Sequence, residues 1–291
     1  LVLGSMFIAP IFAAFMLDTS SMSALPGGYL NPFSSWQDIV SGLAWGLGYF
    51  GMPHIIIRFM SIKSQKDLKK SAKIGITWTL LIVFFATLIG VIGRLFLGFD
   101  ESINENSLVF IQIVRKIFPG VISGILLSAV LAASMSTADS QLLAASSAFS
   151  SDVYKPVIRK GKASDKEMMW TGRIVVLGIA VAALIIASSP NAGSIMALVS
   201  NAWGIFGAAF GPAIMLSLFW KRFNFKGAVA GIITGAAVDI LWYVFLTSTG
   251  IYELLPGFVF GLIAAVVVTL CTKEPSKDVY ELFDKAEKFD E

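Results

Sequence analysis

The sequence predicts an all-α membrane protein whose chain crosses the bilayer many times, and three observations carry that prediction. Hydrophobic residues make up 56% of the 291 residues and charged residues 14%, against a charged share of about 25% in soluble globular proteins; mean hydropathy is +0.78. The apolar residues gather in runs long enough to span a bilayer, which takes about 20 of them per helix. The basic residues gather in alternate gaps between those runs, the pattern that cytoplasmic loops leave.

Taken in order, about eight runs qualify by length: Leu1 to Leu17, Ile39 to Ile57, Ile74 to Leu97, Ile117 to Phe149, Thr171 to Ser188, Ile195 to Trp220, Gly227 to Leu246 and Leu254 to Thr272. The first looks truncated. It starts inside apolar sequence without Met, and the chain is expected to be the C-terminal part of a longer protein. Arg58, Lys63, Lys66, Lys69, Lys70 and Lys73 follow the second run; Lys155, Arg159, Lys160, Lys162 and Lys166 follow the fourth; Lys221, Arg222 and Lys226 follow the sixth. The alternate gaps, around Asp18 to Asp38, Ser188 to Ser194 and Thr247 to Glu253, carry no Lys or Arg, and the one after the third run sets Arg115 and Lys116 beside Asp100, Glu101 and Glu105. This places the polar tail in the cytoplasm, with residues 1–272 as one transmembrane domain and 273–291 as a cytoplasmic tail. Val279, Leu282, Phe283 and Ala286 recur in that tail at the spacing of a short surface helix.

Several functions are excluded at this level. The net charge of +3 is spread over short clusters, which argues against a nucleic-acid partner and for the lipid bilayer as the surroundings. A single cysteine, Cys271, permits no intrachain disulfide. An intramembrane enzyme needs an activated nucleophile or a metal-binding cluster; no such motif is present, and the only histidine, His54, follows Pro53 as a structural residue.

The second run holds Gly42, Gly46, Gly48 and Gly51 before Pro53. Glycine loosens a helix and proline removes a donor, so a break is expected. Unwound backbone in a bilayer is tolerated where protein or a water-filled cavity satisfies it, and it can then bind a ligand. Trp45 and Tyr49, one turn apart, can wall such a cavity; the alternative is that the glycines serve close helix packing and Pro53 a kink. Gly46, Gly48 and Gly51 also spell GxGxxG, but no strand precedes them, so a dinucleotide site is rejected.

The fourth run contains LLSAVLAASMSTADSQLLAASSAF, in which hydroxyls and a carboxylate lie within apolar sequence. It is too long for one straight span and is expected to continue past the membrane or to bend at Pro119 and Gly120. Residues at i, i+3 and i+4 share a helix face, so the carbonyl of Ala133 and the hydroxyls of Ser136 and Thr137 can converge on a hard cation, which favours oxygen ligands. The competing reading has Ser and Thr bond back to their own helix. Asp139, with Ser140, can hold a second cation, carry a proton or pair with a basic residue. In the sixth run Trp203, Phe206 and Phe210 share a face loosened by Gly207, Gly211 and Pro212; they are a candidate gate, or ordinary packing.

Four blocks in order, GLAWGLGYFGMPHIIIRFM, LLSAVLAASMSTADSQLLAASSAFSSDVYK, NAWGIFGAAFGPAIMLSLFW and GIYELLPGFVFG, resemble the C-terminal portion of the sodium/solute symporters, the sodium/proline branch above all. That resemblance implies a LeuT-type fold of two inverted five-helix repeats. The first run would end the first repeat, the next five would form the second, and the last two would be peripheral. It implies a Na+ site at Ala133, Ser136 and Thr137, and a substrate site lined by Trp45, Tyr49 and Pro53. Both would be completed by a broken helix outside this sequence. Some relatives that bind an additional sodium carry a hydroxyl residue where Asp139 stands, which leaves the ion count open. The implied activity is sodium-coupled uptake of a proline-like solute across the plasma (inner) membrane without organic cofactor, with another small amino acid or organic anion as alternative. A symporter-like sensor would need a signalling module beyond the short tail.

Overall fold

A computed structural model describes residues 2–17, 28–31, 33, 35–97, 108–189 and 193–287. The acidic residues Asp100, Glu101 and Glu105, and most of the Asp18 to Asp38 loop, lie outside them. The described residues form helices α1 (Val2–Phe15), α2 (Trp36–Gly48), α3 (Pro53–Met60), α4 (Gln65–Leu97), α5 (Val109–Ile117), α6 (Gly120–Ala148), α7 (Asp165–Ala187), α8 (Ile195–Phe219), α9 (Phe225–Phe245), α10 (Leu254–Cys271) and α11 (Lys277–Glu287). Six are long and apolar enough to cross a membrane, or seven when the bent pair α2 and α3 counts as one span. The first expected run, Leu1 to Leu17, is the apolar helix α1, of 14 residues.

Helix ends depart from the apolar runs because hydropathy marks the bilayer, whereas caps mark the helix. Ser64 accepts a hydrogen bond from the Asp67 amide at 3.2 Å, so α4 begins among lysines well before Ile74. Ser164 does the same for the Glu167 amide at 3.3 Å, starting α7 at Asp165 rather than Thr171. Asn224 caps α9 through the Gly227 amide at 2.9 Å. Each side-chain oxygen satisfies a backbone donor that the first turn leaves without a partner. Ile117 belongs to α5, not to the fourth span; the chain turns at Pro119, and Gly120 opens α6. Past Phe149 the same rod continues as a π-helix to Ile158, so the long run both bends and extends.

The chain forms two compact units, residues 1–29 with 62–194 and residues 30–61 with 195–291. In the first, α1 packs on α4, α5 and α6 around Ala9, Ala13, Ile113 and Val114, all fully buried, with Ile89 and Leu126. The amphipathic α5, a loop by the hydropathy reading, is fixed by Ser123, whose hydroxyl donates to the carbonyls of Val114 at 3.1 Å and Phe118 at 2.9 Å. Where α6 meets α7, the Tyr154 hydroxyl donates to Glu167 at 2.7 Å and Arg159 pairs with the same carboxylate at 2.7 Å.

In the second unit, α9 and α10 run antiparallel with two matching rows of small residues. Gly227, Gly231, Gly235 and Asp239 line one helix and Gly257, Gly261, Ala265 and Thr269 the other, four apart and all buried. A Cβ added at Gly227 would strike Thr269, one at Gly231 would lie 2.9 Å from the Ala265 Cβ, one at Gly261 would lie 3.1 Å from the Gly235 Cα, and one at Gly257 would lie 3.0 Å from the Asp239 Cβ. Such spacing lets backbones touch, the packing that apolar helices use in lipid where hydrophobic burial supplies little drive. On α8, Ala208 closes the junction: a Cβ at Gly235 would run into its carbonyl. Gly235→Ala is therefore expected to lower stability by about 1–3 kcal/mol, read as a lower thermal midpoint in detergent; an unchanged midpoint would mean that the helices slide apart at no cost.

The α9 to α10 turn is anchored by Gly250, at φ +70°, where only glycine is unstrained. The Ser41 hydroxyl of α2 donates to the Gly250 carbonyl at 3.4 Å and accepts from the Tyr252 amide at 3.1 Å. Lys221 pairs with Asp284 of α11, which holds the tail helix against the end of α8.

Candidate functional site

The expected break is present. Helix α2 ends at Gly48, α3 begins at Pro53, and the two axes differ by 47°. Pro53 both starts α3, where a missing N–H is harmless, and withholds the donor that the Tyr49 carbonyl would otherwise meet four residues on. Between them the Phe50 amide reaches Leu47 at 3.3 Å, Gly51 reaches Gly48 at 3.0 Å, and Ile55 and Ile56 converge on the Met52 carbonyl at 3.0 and 3.1 Å.

At the break itself two of the glycines serve close helix packing. A Cβ at Gly48 would collide with the Trp203 indole, and one at Gly51 with the Phe206 carbonyl, whereas Gly42 and Gly46 meet nothing within 4 Å among the described residues. Gly48 and Gly51 thus let the break press against α8. Trp203 fills the space that a side chain would take, and its Nε1 donates to the Trp45 carbonyl at 3.0 Å.

Around that bond an aromatic stack forms. Trp45 lies between Trp203, with centroids 5.9 Å apart and planes at 28°, and Tyr252, at 5.4 Å and 17°. Tyr49 meets Trp203 edge-on at 4.9 Å, and the Tyr252 hydroxyl donates to the Ser200 carbonyl at 2.6 Å. Trp45 and Trp203 are half-buried, and Tyr49 and Pro53 are exposed. Phe206 and Phe210 stack on each other at 6.1 Å further along α8. So the structure joins Trp45, Tyr49 and Trp203 in one cluster at the break. Trp203→Phe keeps the stack but deletes the hydrogen bond, and it is expected to cost about 1 kcal/mol of stability by thermal unfolding; an unaltered midpoint would show the bond to be idle.

The oxygen-bearing face of α6 belongs to the other unit. Thr137 Oγ1 donates to the Ala133 carbonyl at 3.1 Å, and Ser140 Oγ to the Ser136 carbonyl at 2.9 Å. Both are the back-bonds that hydroxyls on helices make. Ser136 Oγ and the Asp139 carboxylate have no partner among the described residues, and Ser136, Thr137, Asp139 and Ser140 are all exposed. The back-bond uses the Thr137 proton and leaves its oxygen able to accept. It sets two of the expected oxygens side by side, near the spacing of neighbouring ligands held at about 2.4 Å from a hard cation, and a cation would need only the hydroxyl proton to turn away.

Comparison with known proteins decides the family. The model of the sodium:solute symporter family matches residues 8–235. The chain belongs to the sodium:solute symporter family. Among the proteins it resembles, the osmoregulated proline transporter OpuE of Bacillus subtilis is 47% identical over 86% of this chain and 51% of its own length. The high-affinity proline transporter PutP of the same organism is 44% identical over 84% of the chain and 52% of its own length. The sodium/proline symporter of Escherichia coli is 42% identical over 86% of the chain and 50% of its own length. The chain spans about half the length of these relatives. Membership and the apolar helices together make this a multi-pass membrane protein.

One residue of the site region escaped the reading of the sequence: Asp239, on the buried row of α9 with 1% of its surface exposed. Its signal was available, since a lone carboxylate inside an apolar run is a functional candidate by default.

Proposed function

We propose that the protein couples the downhill entry of sodium to uptake of a small solute, L-proline in the first instance. The observation that carries this reading is the membership of the family together with proline transport in the names of its relatives. The geometry supplies a chemistry for it. Ala133, Ser136 and Thr137 offer one carbonyl and two hydroxyls on one face of α6, neutral oxygens suited to an alkali ion, and Asp139 with Ser140 lies one turn on as a second cation or coupling position. Trp45, Tyr49 and Pro53 line the substrate position at the break, where the N-terminus of α3 favours a carboxylate and the aromatic rings favour a secondary ammonium. Trp203, with Phe206 and Phe210, gates that position.

Coupling requires sodium to bind two conformations with different affinity. A half-shell of oxygens on α6, completed by another helix of the full-length protein, supplies that difference whenever the two helices separate. The alternation of basic loops supports an orientation with the tail in the cytoplasm. The plasma (inner) membrane, the LeuT-type repeat and a membrane domain over residues 1–272 belong to the same proposal.

The test is uptake of labelled proline by the full-length protein in proteoliposomes, with and without an inward sodium gradient, and with unlabelled sugars, other amino acids and organic anions as competitors. Uptake that needs the gradient and yields only to proline-like solutes supports the proposal. Gradient-independent uptake would remove the coupling, and uptake of a different solute would remove the substrate.

A further inference from the structure

At the junction of α8, α9 and α10, Asp239 is a carboxylate that the transport proposal leaves unused. It is 1% exposed, and its Oδ1 is buried without a hydrogen-bond partner. The carboxyl is wedged between two glycines: a Cβ at Gly204 of α8 would lie 2.9 Å from Oδ1, and one at Gly257 of α10 would lie 3.0 Å from the Asp239 Cβ. The same imaginary atom at Gly204 would lie 3.4 Å from Cγ of Glu253. The Asp239 carboxyl and the Glu253 side chain, from different elements, therefore both lie against Gly204.

Among the described residues no ion pair to Asp239 or Glu253 offsets them. Helices α8 and α10 contain no Asp, Glu, Lys, Arg or His, and α9 has no charged side chain besides Lys226, at its far end, and Asp239. The titratable groups facing the site are Glu253 and Tyr252, and the Tyr252 hydroxyl already donates to Ser200. Helix α2 contributes Asp38 near its start, another acid. Burial pushes the Glu253 carboxyl above its usual range. Burial together with the charges of Glu253 and Asp239 pushes the Tyr252 phenol up as well.

An ionised carboxylate buried without a partner is strongly disfavoured, and two of them side by side cannot both stay charged at low cost. A sodium ion would need about six oxygens around it, but Gly204 and Gly257 press directly on the carboxyl. A proton needs no such room.

We propose that Asp239 and Glu253 form a proton-binding acid pair, which takes one proton from water and holds Asp239 neutral so that α8, α9 and α10 can close on it. Loss of the proton loosens that junction, one residue from Trp203 and its bond to Trp45. The proposal uses none of the residues assigned to sodium or substrate, and its test needs no transport.

Purified full-length protein is followed in two ways. Infrared spectra with carbon-13-labelled aspartate should show the C=O stretch of a protonated carboxylic acid at neutral pH, shifted by the label and missing in Asp239→Asn. Thermal midpoints across pH 5 to 9 should fall in the wild type as pH rises. The sign follows from linkage: a carboxyl whose folded state holds its proton longer loses stability from the unfolded pKa upward. The Asp239→Asn protein should keep a nearly flat profile, and Glu253→Gln should weaken proton binding at Asp239 about tenfold by removing the neighbouring acid. The labelled wild type and Glu253→Gln keep the test decisive should Asp239→Asn fail to fold. Absence of a labelled acid band, or parallel pH profiles in wild type and Asp239→Asn, would overturn the proposal. So would stabilisation by sodium at high pH that vanishes in Asp239→Asn, because the site would then hold a metal ion.

Discussion

Replacing Ser136 and Thr137 together with alanine is expected to abolish sodium-stimulated uptake while leaving the protein in the membrane. Both side chains are exposed on α6 among the described residues, so losing them opens no cavity and strands no buried partner. Thr137 gives up one back-bond to Ala133, which slightly favours an unencumbered helix. Stability should thus change little. Ion affinity should change a great deal, since two of three oxygens offered by this helix disappear; loss of even outer-shell partners of a bound metal costs about 10–100-fold, and loss of two ligands should exceed that. Thr137→Ser, which keeps the hydroxyl, should stay within a few-fold of wild type. The check is sodium dependence of initial uptake rates normalised to inserted protein. Equal sodium dependence in wild type and double variant would show that these oxygens only bond back to their helix.

The second large effect is expected at the break. Gly48→Leu puts a side chain where Trp203 now lies, and the backbones offer no slack, because a Cβ on Gly207 would already lie 2.7 Å from the Gly48 Cα. Either α2 lifts from α8 or Trp203 leaves the stack, breaking its 3.0 Å bond to the Trp45 carbonyl. Overpacking costs about 1–3 kcal/mol and the lost bond about 1 kcal/mol more. Displacing Trp203 by about 1 Å or more at a substrate position should lower transport by about tenfold or more. Gly42→Leu, in the same helix but with nothing within 4 Å of its Cβ among the described residues, is the comparison. Uptake by Gly48→Leu equal to that of Gly42→Leu would detach the break from function.

Much of this architecture is legible in the residues themselves. The spans follow from apolar runs, the break from Gly48, Gly51 and Pro53, and the grouping of Ala133, Ser136 and Thr137 from helical spacing. Helix ends were also written there, in Ser64 three residues before Asp67 and Ser164 three before Glu167, but a hydropathy window registers the bilayer and passes over caps. Helix α5 went unread because Ile113 and Val114 are too few to form an apolar run, although the exposed Arg115 and Lys116 give it a helical face. The small residues of α9 and α10 announce close packing at four-residue spacing. They do not announce which helix they pack against, because partner choice depends on long-range geometry. Asp239 was overlooked for a related reason: a carboxylate is noticed beside other polar groups, as Asp139 is beside Ser140, and Asp239 has its acidic neighbour on another element.

The most direct measurement is binding of radioactive sodium to the purified full-length protein, titrated in wild type, Thr137→Ser and the Ser136→Ala, Thr137→Ala double variant. Saturable binding that survives in Thr137→Ser and disappears in the double variant is the expected result. Undiminished binding in the double variant would place the coupling ion elsewhere and contradict the assignment of α6.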